Sequence, residues 1–138
     1  MTIIVPSPPD DVPDVPRELE LEAHRKNTEW FIAWNPYEVT LIPRTREKSG
    51  SGSRWVDGPP RVVQTMRLIP QSETTLPVTT ADGKVRQITH VLLGRWDADM
   101  AIGDHWTDTV GSTFEVVDMS TPNGYEVKGL IQMHKVRG

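Results

Sequence analysis

Four aspartates and one histidine lie close together in the second half of the chain and are the side chains best suited to chemistry. They are Asp97, Asp99, Asp104, His105 and Asp108. Carboxylates and an imidazole that converge could bind a divalent cation or catalyse a hydrolysis. The spacing differs from an EF-hand loop, because Ala101 and Ile102 stand where oxygen ligands are required. Since aspartate also accepts amide hydrogen bonds in turns, we interpret these residues as turn formers.

The other candidate ligands and nucleophiles show no catalytic spacing. The histidines are scattered, at His24, His90, His105 and His134. The serines at positions 49, 51 and 53 lack a nucleophile-elbow context, and no glycine-rich loop leads from a strand into a helix. The chain has no cysteine, which excludes disulfides and thiolate zinc sites. We therefore expect no enzyme, no cofactor and no metal.

The elements around the aspartates have the pattern of β structure. Residues 114–119 alternate, and residues 125–134 alternate except at Leu130, which is typical of strands with a buried face. Between them, Pro122 and Asn123-Gly124 supply turn residues. Gly103-Asp104 forms a corner before this pair. The pattern predicts a C-terminal β-hairpin.

Residues 17 to about 33 are predicted to form a helix. Leu19, Ala23, Trp30 and Trp34 fall near one face, with charged residues elsewhere. Pro16 stands just before the start, where proline is tolerated, and Asn35-Pro36 supplies a stop.

From Pro36 onward the period changes to two, with further strands predicted at 39–44, 62–69 and 85–96. Strands separated by turn residues predict a mainly β fold, a small barrel or sandwich of about six antiparallel strands. We divide the chain into an N-terminal arm (1–16), a helix (17–34) and a β-barrel domain (36–138) with a long loop at 45–60.

The N-terminal arm is rich in proline and acidic residues. It contains Asp10, Asp11 and Asp14, and no Lys or Arg occurs before Arg17. Its prolines are Pro6, Pro8, Pro9, Pro13 and Pro16. Proline removes amide donors, so the arm forms neither a helix nor a central strand. Two interpretations remain open: a disordered tail, or an extended arm that lies on a neighbouring subunit.

The long loop at 45–60 contains Ser-Gly-Ser-Gly-Ser, which is typical of flexible coil. It exceeds the length that a hairpin connection needs. The loop is either a tolerated surface insertion or a functional loop. Trp55 then either anchors it to the barrel or contacts another subunit.

Charge and hydropathy restrict the partners. Removing the three acids of the arm from the 19 acidic side chains leaves 16, against 15 basic ones. A nearly neutral body argues against tight binding of nucleic acid, which requires a basic excess. No apolar run approaches the roughly 20 residues of a membrane span, and the N-terminus lacks a secretory pattern. We expect a soluble protein that is not exported.

Several segments resemble the head-closure, or head-to-tail stopper, proteins of long-tailed bacteriophages, and most of all those of siphophages that infect actinobacteria. The similar segments are the corner 99–104, the strand 114–117, the C-terminal hairpin from Tyr125, and residues 30–36, 39–44 and 63–71. The resemblance covers roughly residues 17 to 134.

The resemblance implies a structural virion protein of the phage neck, assembled in the host cytoplasm. It would close the DNA-filled capsid below the portal or adaptor ring and provide the docking surface for the tail terminator or tail tube. It would form a homo-oligomeric ring, a dodecamer or a hexamer, with double-stranded DNA in the channel and no membrane contact.

The resemblance also implies roles for two sets of residues. The plug loop in the channel would be Lys48, Ser49, Gly50, Ser51, Gly52, Ser53, Arg54 and Trp55. The contacts between subunits would come from Pro8, Pro9, Pro13, Pro16, Leu19, Trp30 and Trp34.

Two alternatives remain. The chain could be an OB-like module that binds single-stranded nucleic acid, with Trp55, Trp96 and Trp106 as stacking platforms. It could also be a related neck or tail-completion protein.

Overall fold

The described structure is mainly β, with a single helix before the strands. The computed structural model describes residues 17–71, 77–80 and 83–134. The helix α1 spans Arg17–Trp34. The strands are β1 (Tyr37–Val39), β2 (Arg44–Ser49), β3 (Gly52–Asp57), β4 (Gln64–Pro70), β5 (Pro77–Thr79), β6 (Val85–Gln87), β7 (His90–Arg95), β8 (His105–Thr107), β9 (Thr113–Met119) and β10 (Glu126–His134). The predicted arm, 1–16, lies outside the described residues.

Six of the strands form one antiparallel sheet in the order β1-β4-β7-β10-β9-β8. The segment after β1 returns to the opposite edge, because the Ile42 amide donates to the His105 carbonyl at 2.9 Å and the His105 amide donates back at 3.0 Å. This bridge brings the two edges together, so that the sheet is nearly closed as a barrel. The predicted small barrel with an N-terminal helix is confirmed.

The predicted C-terminal hairpin is β9 and β10. Gly124 adopts a φ of +85°, and the Asn123 Oδ1 accepts hydrogen bonds from the amides of Tyr125 and Glu126. The predicted corner is also present, with Gly103 at a φ of +96°. The pairing of β10 with β9 shifts register between Leu130 and Ile131, which is where the sequence alternation breaks.

The core lies inside the barrel. Its buried side chains are Val39, Leu41, Met66, Leu92, Trp106, Phe114, Val116 and Ile131. Trp106 stacks on Phe114 with 4.9 Å between ring centroids, and its indole N–H donates to the Tyr37 hydroxyl at 2.8 Å. Burying each such side chain contributes about 1.5–3 kcal/mol. The barrel is therefore stabilised by a filled interior.

The third predicted strand, 85–96, is divided into β6 and β7. Strand β7 joins the main sheet, whereas β6 pairs with β5 in a separate hairpin. The division falls at Ile88 and Thr89, where the Thr89 amide donates instead to the Ile131 carbonyl of β10.

The apolar face of α1 seen in the sequence is not the face that packs on the barrel. Leu19, Trp30 and Trp34 are exposed, whereas Thr28 and Ile32 are buried. The helix is held largely by polar and cation–π contacts, which an apolar pattern does not reveal. The Arg67 guanidinium lies 3.7 Å from the centre of the Phe31 ring and donates to the Phe31 carbonyl.

The flexible coil predicted within 45–60 is instead a regular hairpin, β2 and β3. Arg46 pairs with Trp55 and Lys48 with Ser53, and Gly50 adopts a φ of +61° at the turn. Only the centre of the Ser-Gly repeat forms the turn, because Gly52 and Ser53 are already paired in β3. Strand pairing along most of its length explains why this segment does not behave as a linker.

Candidate interaction surfaces

The aspartates at the centre of the sequence pattern are engaged in structural contacts. Asp104 is 1% exposed and accepts hydrogen bonds from Arg61 Nε at 2.8 Å and Nη2 at 3.1 Å. The hydrogen bond from Arg61 to Asp104, above all, raises the pKa of the Arg61 side chain. Arg61 Nη1 also donates to Asp99 at 2.9 Å. This buried ion pair ties the segment before β4 to the corner before β8.

The other members of the cluster are turn and surface contacts. Asp108 accepts hydrogen bonds from the amides of Val110 and Ser112, which confirms its interpretation as a turn residue. His105 Nε2 lies 2.9 Å from the Asp57 carboxylate. Among the residues that the structure describes, no group of three or more His, Asp or Glu side chains could hold a metal ion.

The outer side of α1 carries a surface that we call the aromatic face: Leu19, Trp30 and Trp34. Trp30 is 60% exposed and Trp34 is 67% exposed, with 4.7 Å between their ring centroids. Aromatic side chains of this size are enriched at protein interfaces, where burying them is strongly favourable. The aromatic face contains all the helical residues predicted to contact another subunit. The predicted proline contacts, Pro8, Pro9, Pro13 and Pro16, lie outside the described residues.

The predicted plug residues lie on the β2–β3 hairpin. Within the described part of the chain, this hairpin forms a two-stranded sheet of its own. The predicted plug residues whose side chains are described are all exposed, and they are Lys48, Gly50, Ser51, Gly52, Ser53, Arg54 and Trp55. The hairpin therefore presents an exposed tip, on which Glu47 is the cross-strand partner of Arg54.

A cleft of about 540 Å³ lies between this hairpin and β9. We call it the basic cleft. It is lined by Arg44, Arg46, Trp55, Lys84, Arg86, Ile102, Gly103, Glu115, Val116 and Val117. Arg44 Nη1 donates to Glu115 at 3.2 Å, and the Arg46 guanidinium lies 5.1 Å from the centre of the Trp55 ring.

The basic cleft was not predicted from the sequence, although the sequence contains one signal for it. Arg44 and Arg46 are two residues apart, as are Lys84 and Arg86, so each pair lies on one face of its strand. The two pairs belong to two separate hairpins, and only the tertiary structure places both hairpins beside Trp55 and β9. Arg46 and Trp55 are both exposed, and together they could contact a partner that has an anionic group beside an apolar one.

The predicted stacking platforms are only partly available. Trp106 is buried in the core, so its role as a platform is wrong. The Arg25 guanidinium lies 4.0 Å from the centre of the Trp96 ring and occupies one of its faces, while 43% of Trp96 is exposed. Trp55 is 60% exposed beside the basic cleft.

The fold defines a class, a small antiparallel barrel with one external helix and a protruding hairpin. Comparison with known proteins matched no family model, no curated protein and no solved structure. The described part of the chain contains no helix with the length and apolar character needed to cross a membrane.

Proposed function

We propose that this protein is a structural component of the neck of a tailed bacteriophage, a head-to-tail stopper that closes the filled capsid and docks the tail. The observation that carries the proposal is the aromatic face of α1. Two adjacent tryptophans exposed on a small barrel are suited to burial against another protein. They are also residues that the family resemblance assigns to contacts between subunits.

In this proposal identical copies assemble into a ring of twelve or six through head-to-tail contacts. A ring requires two different surfaces on each subunit, one for each neighbour. The aromatic face of α1 is one of them. The ring lies below the portal or adaptor and above the tail terminator or tail tube.

The β2–β3 hairpin is the plug element of the proposal. Its tip carries Lys48 and Arg54, and it is exposed along the length that would enter the channel. A two-stranded hairpin is stiffer than a coil, so it can obstruct DNA sterically. Since the body of the chain is nearly neutral, the DNA would still slide past when the hairpins move aside.

The experiment is complementation of a phage that lacks this gene product with the double variant Trp30→Ser/Trp34→Ser. The variant is expected to fold normally, because both side chains are exposed, but to be absent from purified particles. Circular dichroism checks the fold, and mass spectrometry of particles checks incorporation. Cryo-electron microscopy of wild-type particles locates the chain along the axis and separates a stopper from a tail-completion protein.

The matched control is Val110→Ser, which removes an exposed apolar side chain from the turn between β8 and β9. It should be incorporated like the wild type. Normal incorporation of the tryptophan variant would contradict the assigned interface, and absence of the wild-type chain from the neck would end the proposal.

A second candidate function is binding of single-stranded nucleic acid, which Trp55 and the basic cleft favour. Bases could stack on Trp55 while the basic side chains contact phosphates. Titration with a single-stranded oligonucleotide at low salt would then quench tryptophan fluorescence, with a steep salt dependence. Quenching lost in Trp55→Leu but kept in the control Trp34→Leu would support this candidate.

A further inference from the structure

We propose that a gap in the barrel wall binds residues 2–5 of a neighbouring copy of this chain as an added β-strand. We call this gap the seam. It is a groove of about 570 Å³ between β1 and β8, bounded by residues 37–40 on one side and 106–109 on the other. The inference rests on the ring of the proposed function and identifies one contact between its copies.

The first argument is the unpaired backbone on both sides of the seam. Strands β1 and β8 end the main sheet, and among the described residues one bridge joins the two edges, between Ile42 and His105. Backbone groups of successive residues point to opposite sides of a strand, so those of Thr40 and Thr107 also face the seam. They do not bond to each other. Free strand edges of this kind pair readily with an extended segment.

The second argument is the sequence at the start of the chain. Residues 2–5 are all β-branched and favour strands, and they are Thr2, Ile3, Ile4 and Val5. The first proline is Pro6, so these four residues keep every amide donor. The loss of donors that excludes a central strand from Pro6 onward therefore does not apply to them.

The third argument is the chemistry of the lining. Tyr37 and Ile42 are half-buried and Pro60 is exposed, so the seam offers apolar surface that the chain leaves uncovered. Two carboxylates, those of Glu38 and Asp108, line it without any Lys or Arg. Such a lining disfavours both nucleic-acid phosphates and the acidic remainder of segment 1–16. An uncharged apolar strand suits it.

Chain connectivity favours a neighbouring copy as the source of the strand. The seam opens at Tyr37, three residues after the end of α1, whereas segment 1–16 leads into the other end of the helix. The 18 residues of α1 span about 27 Å. To dock in its own seam, the chain would have to reverse before α1 and return along the whole helix with residues 6–16, which reach roughly 34 Å when extended. A neighbouring copy requires no reversal.

The absence of cysteine makes disulfide formation a direct test. When Ile3 and Val5 face the barrel, Ile4 lies on the outer face, as exposed Thr107 does. Full-length Ile4→Cys and Thr107→Cys proteins with different tags are combined in concentrated solution and in phage particles. Mild oxidation should join the two proteins.

The matched control replaces Thr107→Cys by Thr45→Cys, an exposed threonine on β2 that does not line the seam. It should give roughly tenfold less product or lower, because cysteines whose Cα atoms are more than about 7 Å apart do not form a disulfide. Equal yields at the two sites would overturn the proposal, as would absence of the product from both solution and particles.

A proline tests the backbone pairing. Adding Ile3→Pro to the Ile4→Cys protein removes an amide donor from the strand and should lower the yield several-fold. Asp11→Pro, which lies in the segment but outside the strand, should leave the yield unchanged. An unchanged yield with Ile3→Pro would show that the segment does not bind as a strand.

The source of the strand is tested with the double variant Ile4→Cys/Thr107→Cys. Disulfides between chains are expected in the ring, and a disulfide formed only within single chains would overturn the proposal. Particles that carry the Ile4→Cys and Thr107→Cys proteins in the neck without the disulfide would refute this inference alone. A disulfide-linked ring in solution, with no protein in the neck, would refute the stopper function alone.

Discussion

At the scale of the residue, the sheet depends on positions where only glycine leaves enough room. A Cβ added at Gly94 in β7 would lie 2.6 Å from the Ala98 Cβ. One added at Gly129 in β10 would lie 2.5 Å from the Met100 sulfur. A methionine side chain can move aside, whereas the Ala98 Cβ moves only with its backbone. Gly94 is therefore the stricter requirement.

We predict that Gly94→Ala lowers the free energy of unfolding by about 1–3 kcal/mol, because it overpacks the contact with Ala98. Urea denaturation measures the change. Ala98→Gly in the same chain removes the opposing Cβ and should recover part of the loss. A double-mutant cycle without coupling between the two sites would show that the clash is not the cause.

His90 should make the stability depend on pH. Burial lowers the pKa of this imidazole below its ordinary value of 6.5. The ring stands edge-on to Phe114, with 5.4 Å between centroids. The unfolded chain therefore binds the proton more tightly than the folded chain does. The stability that neutral His90 contributes is fully present above about pH 6.5 and is lost as the pH falls through the folded pKa.

The measurement compares the melting temperature of the wild type and of His90→Gln between about pH 7.5 and about pH 5. The wild type should lose more stability on acidification than the variant, since glutamine does not titrate. Equal slopes in the two proteins would assign the pH dependence to other groups.

At the scale of the element, the β2–β3 hairpin is nearly independent of the barrel. Its strands pair with each other, and Arg44 at its base contacts Glu115 of β9. The Gly58 amide closes the base by donating to the Pro43 carbonyl at 2.8 Å. An element joined in this way can be shortened without removing core contacts.

We predict that replacing residues 45–56 by Asn-Gly yields a folded protein and phage heads that fill with DNA but later leak. Arg44 and Asp57 are paired in the wild type, so a two-residue turn can connect them. DNA retained by purified heads over time is the readout. The control is the triple variant Arg46→Ser/Lys48→Ser/Arg54→Ser, which keeps the hairpin. If the hairpin obstructs the DNA sterically, heads assembled with this variant should hold their DNA. Normal retention by the shortened variant would refute the plug role.

At the scale of the whole molecule, the barrel presents two different surfaces. One surface is the aromatic face of α1, which packs on β4 and β7, and the other is the basic cleft, which is lined by β9 beyond strand β10. Contacts between unlike surfaces generate rings or filaments, whereas a twofold dimer would need one surface that complements itself. The ring of the proposed function requires two unlike surfaces of this kind on each copy.

The sequence by itself determined the fold class, the C-terminal hairpin and its corner. These features are local, since alternation and turn residues such as Asn123-Gly124 act over a few positions. The span of α1 was equally readable from Pro16 and Asn35-Pro36. Its packing face was not, because the helix is held by arginines of distant strands.

Only the tertiary structure decided which side chains meet. It buried Trp106, exposed Trp30 and Trp34, paired Asp104 with Arg61, and brought two pairs of basic residues around Trp55. It also placed the centre of a linker-like Ser-Gly repeat in the turn of a hairpin and paired the rest of the repeat in the two strands. Contacts between residues far apart in the chain depend on sheet order and closure, and these are properties of the complete packing that no local pattern encodes.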